Sequence, residues 1–244
     1  MLAGLPTCAR LELFGHARWR VEDSLRVGEC LRKAFMAVCG EFGRLPSEIS
    51  GHEGKKPAQG HRHAYFLPDD EDWDGLIDHA IIFLPGGMTL SVQRSLEALR
   101  FLRPLQVSLR LQGMGMPEDF AALTSLCGPS AVWTSFTPYL HPWYQKKHGV
   151  FGPVDQLKRE IELAQEFPPV QHIKELEGVG VRGRVLRVRD FCRVRTNTRP
   201  NIPDFMGTLW QVTFSQSVAG PLSFGRDSHF GLGLFRAGYA RGRN

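Results

Sequence analysis

Four histidines, His52, His61, His63 and His79, fall within 28 residues, beside aspartates at 70, 72, 74 and 78. Imidazole is the side chain whose ordinary pKa lies nearest neutrality, so such a cluster suits proton transfer. His52 lies on a polar stretch with Lys55 and Lys56 close behind it. An imidazole beside an ammonium fits cleavage of an RNA phosphodiester by its own 2′-hydroxyl. That reaction needs a base, an acid and a cationic group, and no metal. His52 is the first candidate for this work and Lys55 the cation, with His61 and His63 as further candidates. His63 and His79 also sit within strand-like runs, where a satisfied structural imidazole is the plainer reading.

The aspartates admit a second chemistry. Asp70-x-Asp72-x-Asp74-Gly75-x-Ile77-Asp78 copies the first half of a calcium-binding loop. The twelfth position is Ile81, where a bidentate glutamate belongs, and strands flank the segment. A hairpin turn with solvated carboxylates is favoured, and no metal site is expected. Neither the Rossmann nor the phosphate-loop pattern of glycines is present, so no nucleotide cofactor is expected.

Binding groups lie further along. The net charge of +5 is concentrated at 174–199, where eight basic residues face three acidic ones. That focus suggests an anionic partner, most simply nucleic acid. Residues 184–195 alternate: Arg187, Arg189, Phe191, Arg193 and Arg195 share one parity, and a mostly apolar set holds the other. Read as a strand, this places four guanidiniums and a stacking ring on one face, suited to a nucleic-acid backbone and a base. The glycine-rich stretch 220–233 can bring backbone amides to a phosphate, with Arg226, Ser228 and His229 as extra donors; a tight turn closing a sheet is the plainer alternative. Lys146 and Lys147 lie in an aromatic and basic loop at 138–149.

The elements that must position these groups follow from periodicity. Residues 9–14 read as a strand, 24–40 as an amphipathic helix, 61–67 and 77–84 as two strands joined by the acidic turn. Residues 91–103 read as a helix stopped by Pro104 and 107–111 as a strand. Strand, helix, strand, strand, helix, strand is the ferredoxin-like order shared by RNA-recognition domains. A looser second pass follows: strand 131–136, helix 154–167 stopped by Pro168 and Pro169, strand 184–195, strand 208–214, then the glycine-rich loop. The expected fold is therefore α+β: two tandem ferredoxin-like (RRM-like, βαββαβ) domains, at 1–128 and 129–244, with a C-terminal glycine-rich loop.

Composition agrees with such a protein. Of 244 residues, 42% are apolar, enough for a sizeable core. No apolar run approaches the roughly 20 residues of a membrane span. The first residues show no secretory pattern, and five scattered cysteines without a C-x-x-C pair fit a reducing, cytoplasmic setting.

Several stretches together resemble a known family. They are Ser50-Gly-His52, Gly60-His-Arg-His63-Ala, Leu67-Pro-Asp, Asp74-Gly-x-Ile-Asp-His79 and Ser228-His-Phe-Gly-Leu-Gly-Leu-Phe235. They resemble the processing half of the fused Cas-five/Cas-six subunit of type I-U (I-G) CRISPR systems, in the RAMP superfamily of repeat-RNA endoribonucleases. The resemblance spans nearly the whole chain. It implies tandem ferredoxin-like domains and a C-terminal glycine-rich loop. It implies metal-independent cleavage of precursor CRISPR RNA within each repeat, leaving a 5′-hydroxyl and a 2′,3′-cyclic phosphate or 3′-phosphate. Family members often keep a histidine after the first helix, here His52. The implied partners are CRISPR repeat and guide RNA and the other subunits of a type I surveillance (Cascade) complex, including a Cas-five-like subunit. Two readings compete with it: a non-catalytic subunit that caps guide RNA, and a metal-dependent phosphodiesterase built on the His/Asp cluster.

Overall fold

The computed structural model describes residues 4–16, 18–43, 46–53, 56–57, 63–143, 151–164, 167–196 and 207–238, with backbone alone at 52, 53, 56 and 57. The first half is built from β1 (Cys8–Phe14), α1 (Ser24–Glu41), β2 (Tyr65–Asp69), β3 (His79–Phe83), α2 (Leu90–Ala98) and β4 (Val107–Gly115). The strands pair antiparallel in the order β2-β3-β1-β4. Leu11 lies opposite Ala80 on one side and Leu111 on the other. This is ferredoxin-like topology, with α1 and α2 as the two crossovers.

The apolar stripe of α1 explains its packing. Val27, Leu31 and Phe35 are buried, and Phe35 meets Phe66 of β2 edge-on at 6.3 Å. Helix α2 ends sooner than the proline stop at 104 suggests. Leu99 turns extended, and Phe101–Leu102 then pairs with Ser108 and Val107. Tertiary pairing thus overrides the helical periodicity beyond Ala98.

The second half repeats the order with β5 (Ser130–Ser135), α3 (Pro153–Ala164), β6 (Val170–Leu176), β7 (Gly207–Val218) and β8 (Leu234–Ala237). The strands run β6-β7-β5-β8, again ferredoxin-like. Between β7 and β8 the second crossover helix is replaced by the glycine-rich stretch. Its only helix is the single turn Ser228–Phe230.

One expected strand is not there. Residues 184–195 do not run through the sheet, and β6 takes that place. Arg184–Leu186 instead pairs with Val179–Val181 in a small hairpin, turned by Arg182 and Gly183 at φ +36° and +73°. Asp190 Oδ2 then accepts the Arg187 N–H at 2.7 Å and closes a 3₁₀ turn at Val188–Asp190. A local side-chain hydrogen bond has displaced the ladder. The alternation that suggested one basic face is therefore not the alternation of a strand.

The two halves share a core. Phe136, Val181, Leu186, Phe191, Leu209 and Leu234 join the apolar cluster formed by β1, α1 and β3. Across this contact the buried Arg236 of β8 donates to Asp69 Oδ1 of β2 at 3.1 Å and to the Asp70 carbonyl at 2.6 Å. Its guanidinium lies over Phe136 at 3.5 Å and Trp73 at 4.5 Å, and Thr124 Oγ1 donates to the other Asp69 oxygen. Among the described residues no helix is long and apolar enough to cross a membrane.

Candidate active site

The glycine-rich stretch is held against the first half by close backbone approach. A Cβ on Gly28 of α1 would lie 2.4 Å from the Phe230 carbonyl oxygen and 2.8 Å from that of Phe66. Gly231, at φ +86°, leaves its own Cβ space to Pro68. Only glycine at both positions lets the single helical turn settle between α1 and β2. The turn carries His229 with it.

His229 lands on the edge strand of the first sheet. Its ring stacks on Tyr65 with centroids 4.0 Å apart and planes 20° apart, and His63 lies 5.7 Å away on the approach to the same strand. His229 Nδ1 is 3.2 Å from the Ala64 carbonyl oxygen. A carbonyl only accepts, so Nδ1 carries the proton, and the neutral ring holds its lone pair on Nε2. A Cβ on Gly51 would sit 3.8 Å from His63 Nδ1, so the chain entering His52 passes beside the His63 ring.

Cations flank this group. Arg32 of α1 donates from Nη2 to the Ser50 carbonyl at 2.5 Å, and Arg195 donates from Nε to Glu29 Oε1 at 2.9 Å. Both guanidiniums lie over the Phe230 ring, at 5.7 and 4.3 Å. Burial and the nearby Arg195 charge lower the Arg32 pKa. Burial pushes the Glu29 carboxyl up, but the Arg195 and Thr196 donors outweigh it and hold Glu29 below its ordinary value. Asp227 is raised by burial against the pull of Arg195 and Arg226. Two imidazoles and two guanidiniums thus converge where the helical turn meets α1 and β2. That set can move a proton at one oxygen of a phosphodiester and neutralise charge on the others.

The residues singled out in the sequence divide as follows. His63 comes together with His229, while the side chain of His52, and Lys55, His61, Lys146 and Lys147, lie outside the described residues. Arg187 and Arg189 are exposed on the turn after the hairpin, Arg193 is half-buried, and Arg226 sits beside Asp227 with Nε 4.0 Å from its carboxylate. Phe191 is 4% exposed within the shared core, so it offers no ring for a base to stack on. Ser228 is buried, and its carbonyl accepts from the Ser223 hydroxyl at 3.0 Å. Tyr65, Arg32 and Phe230 were not singled out. A tyrosine in an aromatic strand and an arginine on a helix flank carry no signal until the second half docks.

The acidic turn is tied to its own backbone. Asp70 accepts the Asp74 and Gly75 N–H groups at 3.0 Å each, Asp74 accepts from Leu76, and Asp78 from Glu71. Arg18 and Arg182 add ion pairs to Asp74 at 3.9 and 3.6 Å. Burial raises the Asp70 carboxyl to about 6. The donor sets Asp70/Asp72/Asp74 and Glu71/Asp78/His79 have the spacing to hold a cation, but each is engaged in these turn contacts. His79 is buried, its Nδ1 2.9 Å from Asp78 and its Nε2 3.3 Å from the Gln112 amide, as a structural imidazole would be.

No family model and no curated protein matches the chain. Among solved structures it is similar to a Cas6 product complex, at 14% identity and a TM-score of 0.44, over 96% of this chain and 99% of that one. It is also similar to Thermus thermophilus Cas6, at 12% identity and a TM-score of 0.35, over 97% and 99%.

Proposed function

We propose that the chain is an endoribonuclease that processes CRISPR repeat RNA without a metal. The observation that carries this reading is the meeting of His229 with His63 on Tyr65, between Arg32 and Arg195. In the proposed reaction one imidazole takes the proton of a 2′-hydroxyl. The freed O2′ attacks the adjacent phosphorus, and a second imidazole protonates the departing O5′. The products are a 2′,3′-cyclic phosphate and a 5′-hydroxyl. His229 Nε2 suits the first role, since its tautomer is set by the Ala64 carbonyl. His63 suits the second, with His52 as the alternative. Arg32 and Arg195 stabilise the charge gathering on the phosphoryl oxygens. The residues quoted for the family resemblance, including the 228–235 stretch that carries His229, support the CRISPR repeat as substrate. They also support retention of the product within a type I surveillance complex that includes a Cas-five-like subunit.

The test is a single-turnover assay of the purified chain on end-labelled repeat RNA, with and without EDTA. Cleavage in both, ending in a cyclic phosphate, supports the reading. Cleavage that EDTA abolishes transfers the chemistry to the His/Asp cluster. Tight binding without cleavage makes the chain a guide-RNA cap.

A further inference from the structure

Two large rings stand in solvent on the sheet of the first half. Phe14, at the end of β1, is 49% exposed, and Phe101 is 41% exposed. Register puts them on one face: Ser108 of β4 lies opposite Phe14 on one side and opposite Phe101 on the other. Their neighbours Leu13, Leu102 and Leu109 point the other way, into the core beneath α1 and α2. The second half covers this same face further along, where Arg236 reaches Asp69 of β2.

A row of ring, hydroxyl and ring makes a slot. Opposed side chains in a sheet stand about 5 Å apart at Cβ, so the two phenylalanines rise about 10 Å from each other. Stacked rings keep their centroids about 4.5–7 Å apart, so that gap seats one flat heterocycle with a ring on either side. Half-buried Ser108 forms the floor, with a hydroxyl that donates or accepts. The surroundings are cationic. Arg110 lies over the Phe14 ring at 5.8 Å, and Arg100 and Arg103 are exposed on either side of Phe101 in the chain. Glu12, the carboxylate next along this face, is taken up by the Arg110 guanidinium. Exposed rings among guanidiniums suit a ligand that is flat, apolar on its faces and anionic at its edge.

We propose that this slot takes one base of single-stranded RNA, away from the bond that is cleaved, with the flanking phosphates against Arg100 and Arg103. The proposal rests on the reading of the chain as an RNA-binding protein given above. The row lies at the far end of β1 from the row that holds Tyr65, roughly 20 Å away by the rise of a strand. It is a second hold on the strand, separate from the histidines. Every base has a π-face, and a serine hydroxyl serves either kind of base edge, so the slot grips without choosing. A protein partner would use the same rings as apolar bulk, whereas RNA uses them as flat surfaces, and that difference separates the two.

The experiment uses the full chain and fluorescein-labelled dodecauridylate, read by fluorescence polarisation. Phe14→Leu and Phe101→Leu keep most of the apolar bulk and remove the flat ring. Each should weaken binding about fivefold to a hundredfold, the usual worth of one stacked base. Phe14→Tyr and Phe101→Tyr should bind as the wild type does. The salt dependence of the affinity should be the same in all four variants, because no charge is lost. Single-turnover cleavage at saturating repeat RNA should keep its wild-type rate in the leucine variants. Wild-type affinity in both leucine variants would overturn the proposal and give the rings to a protein partner, while the histidine site stands. Ring-dependent binding by a chain that cleaves nothing would support the slot and overturn the nuclease. Failure of the wild-type chain to bind dodecauridylate would overturn the slot, and failure on repeat RNA as well would overturn both.

Discussion

The His229 ring lies flat on Tyr65, 4.0 Å from centroid to centroid, although the two residues come from opposite halves of the chain. The stack and the Nδ1 contact to Ala64 fix one tautomer and one ring orientation. His229→Ala should slow single-turnover cleavage by about 10² to 10⁴, the usual worth of a general acid or base, with RNA affinity within a few-fold of wild type. Tyr65→Leu should lower the rate less and leave the pH profile's lower limb in place, because the imidazole is loosened and not removed. A Tyr65→Leu profile that loses that limb would make the tyrosine part of the proton transfer.

Arg236 should be among the residues whose loss most harms stability. It is buried, paired with Asp69 and closed between Phe136 and Trp73. Removing one partner strands the other charge, at a cost of roughly 3–5 kcal/mol. Asp69→Ala and Arg236→Met should each lower the urea midpoint sharply, and the double variant should cost less than the sum of the two. Strict additivity would mean that the pair is not coupled.

Gly28→Ala tests the docking of the helical turn. The new methyl would meet the Phe230 and Phe66 carbonyls, both backbone atoms with little room to yield. The expected cost is about 1–3 kcal/mol. Cleavage should fall further than that loss of fold predicts, because the displaced turn carries His229. Wild-type rates in a folded Gly28→Ala chain would show that the turn need not sit there.

Stability should fall between mildly acidic and neutral pH through Glu160. Burial raises its carboxyl from 4.5 to about 7 in the folded chain, against the smaller pull of Tyr139 and Gly225. Between those values the unfolded chain has lost the proton and the folded one still holds it, so rising pH favours unfolding. The contribution levels off above the folded value at about 3 kcal/mol. Asp70, raised to about 6, acts in the same direction, so the comparison must be with Glu160→Gln. Urea unfolding should give that variant a stability close to wild type at pH 5 and a clear advantage at pH 8. Parallel pH curves would show that Glu160 ionises freely in the folded chain.

Much of this architecture was readable because it is local. The stripe Val27, Leu31, Phe35 and the run at 79–83 bounded by Pro85 announce a helix and a strand from their own neighbours. The order of elements in the first half then gives the ferredoxin-like sheet. The second half was harder for a physical reason. Strand β6 carries His172, Lys174 and Glu175 on a half-exposed sheet edge, so its period is faint. At 184–195 a clear period is cut by one aspartate that binds the backbone. The site was legible only in part: His63 and His229 stood out as types, but their meeting depends on the space left by Gly28 and Gly231. Phe191 had the right parity for a surface ring and lies in the core, because parity says which residues share a face and not which way that face turns.

The docked turn also sets when the chain acquires its chemistry. Ala64, which fixes the ring of His229, precedes it by 165 positions. At roughly 5–20 residues per second of synthesis, about 10–30 s separate the making of these two residues on a ribosome. Throughout that interval the edge strand and its histidine exist without the imidazole that completes them. Emergence of the glycine-rich stretch, and its burial against α1, is thus the moment at which the proposed site is completed.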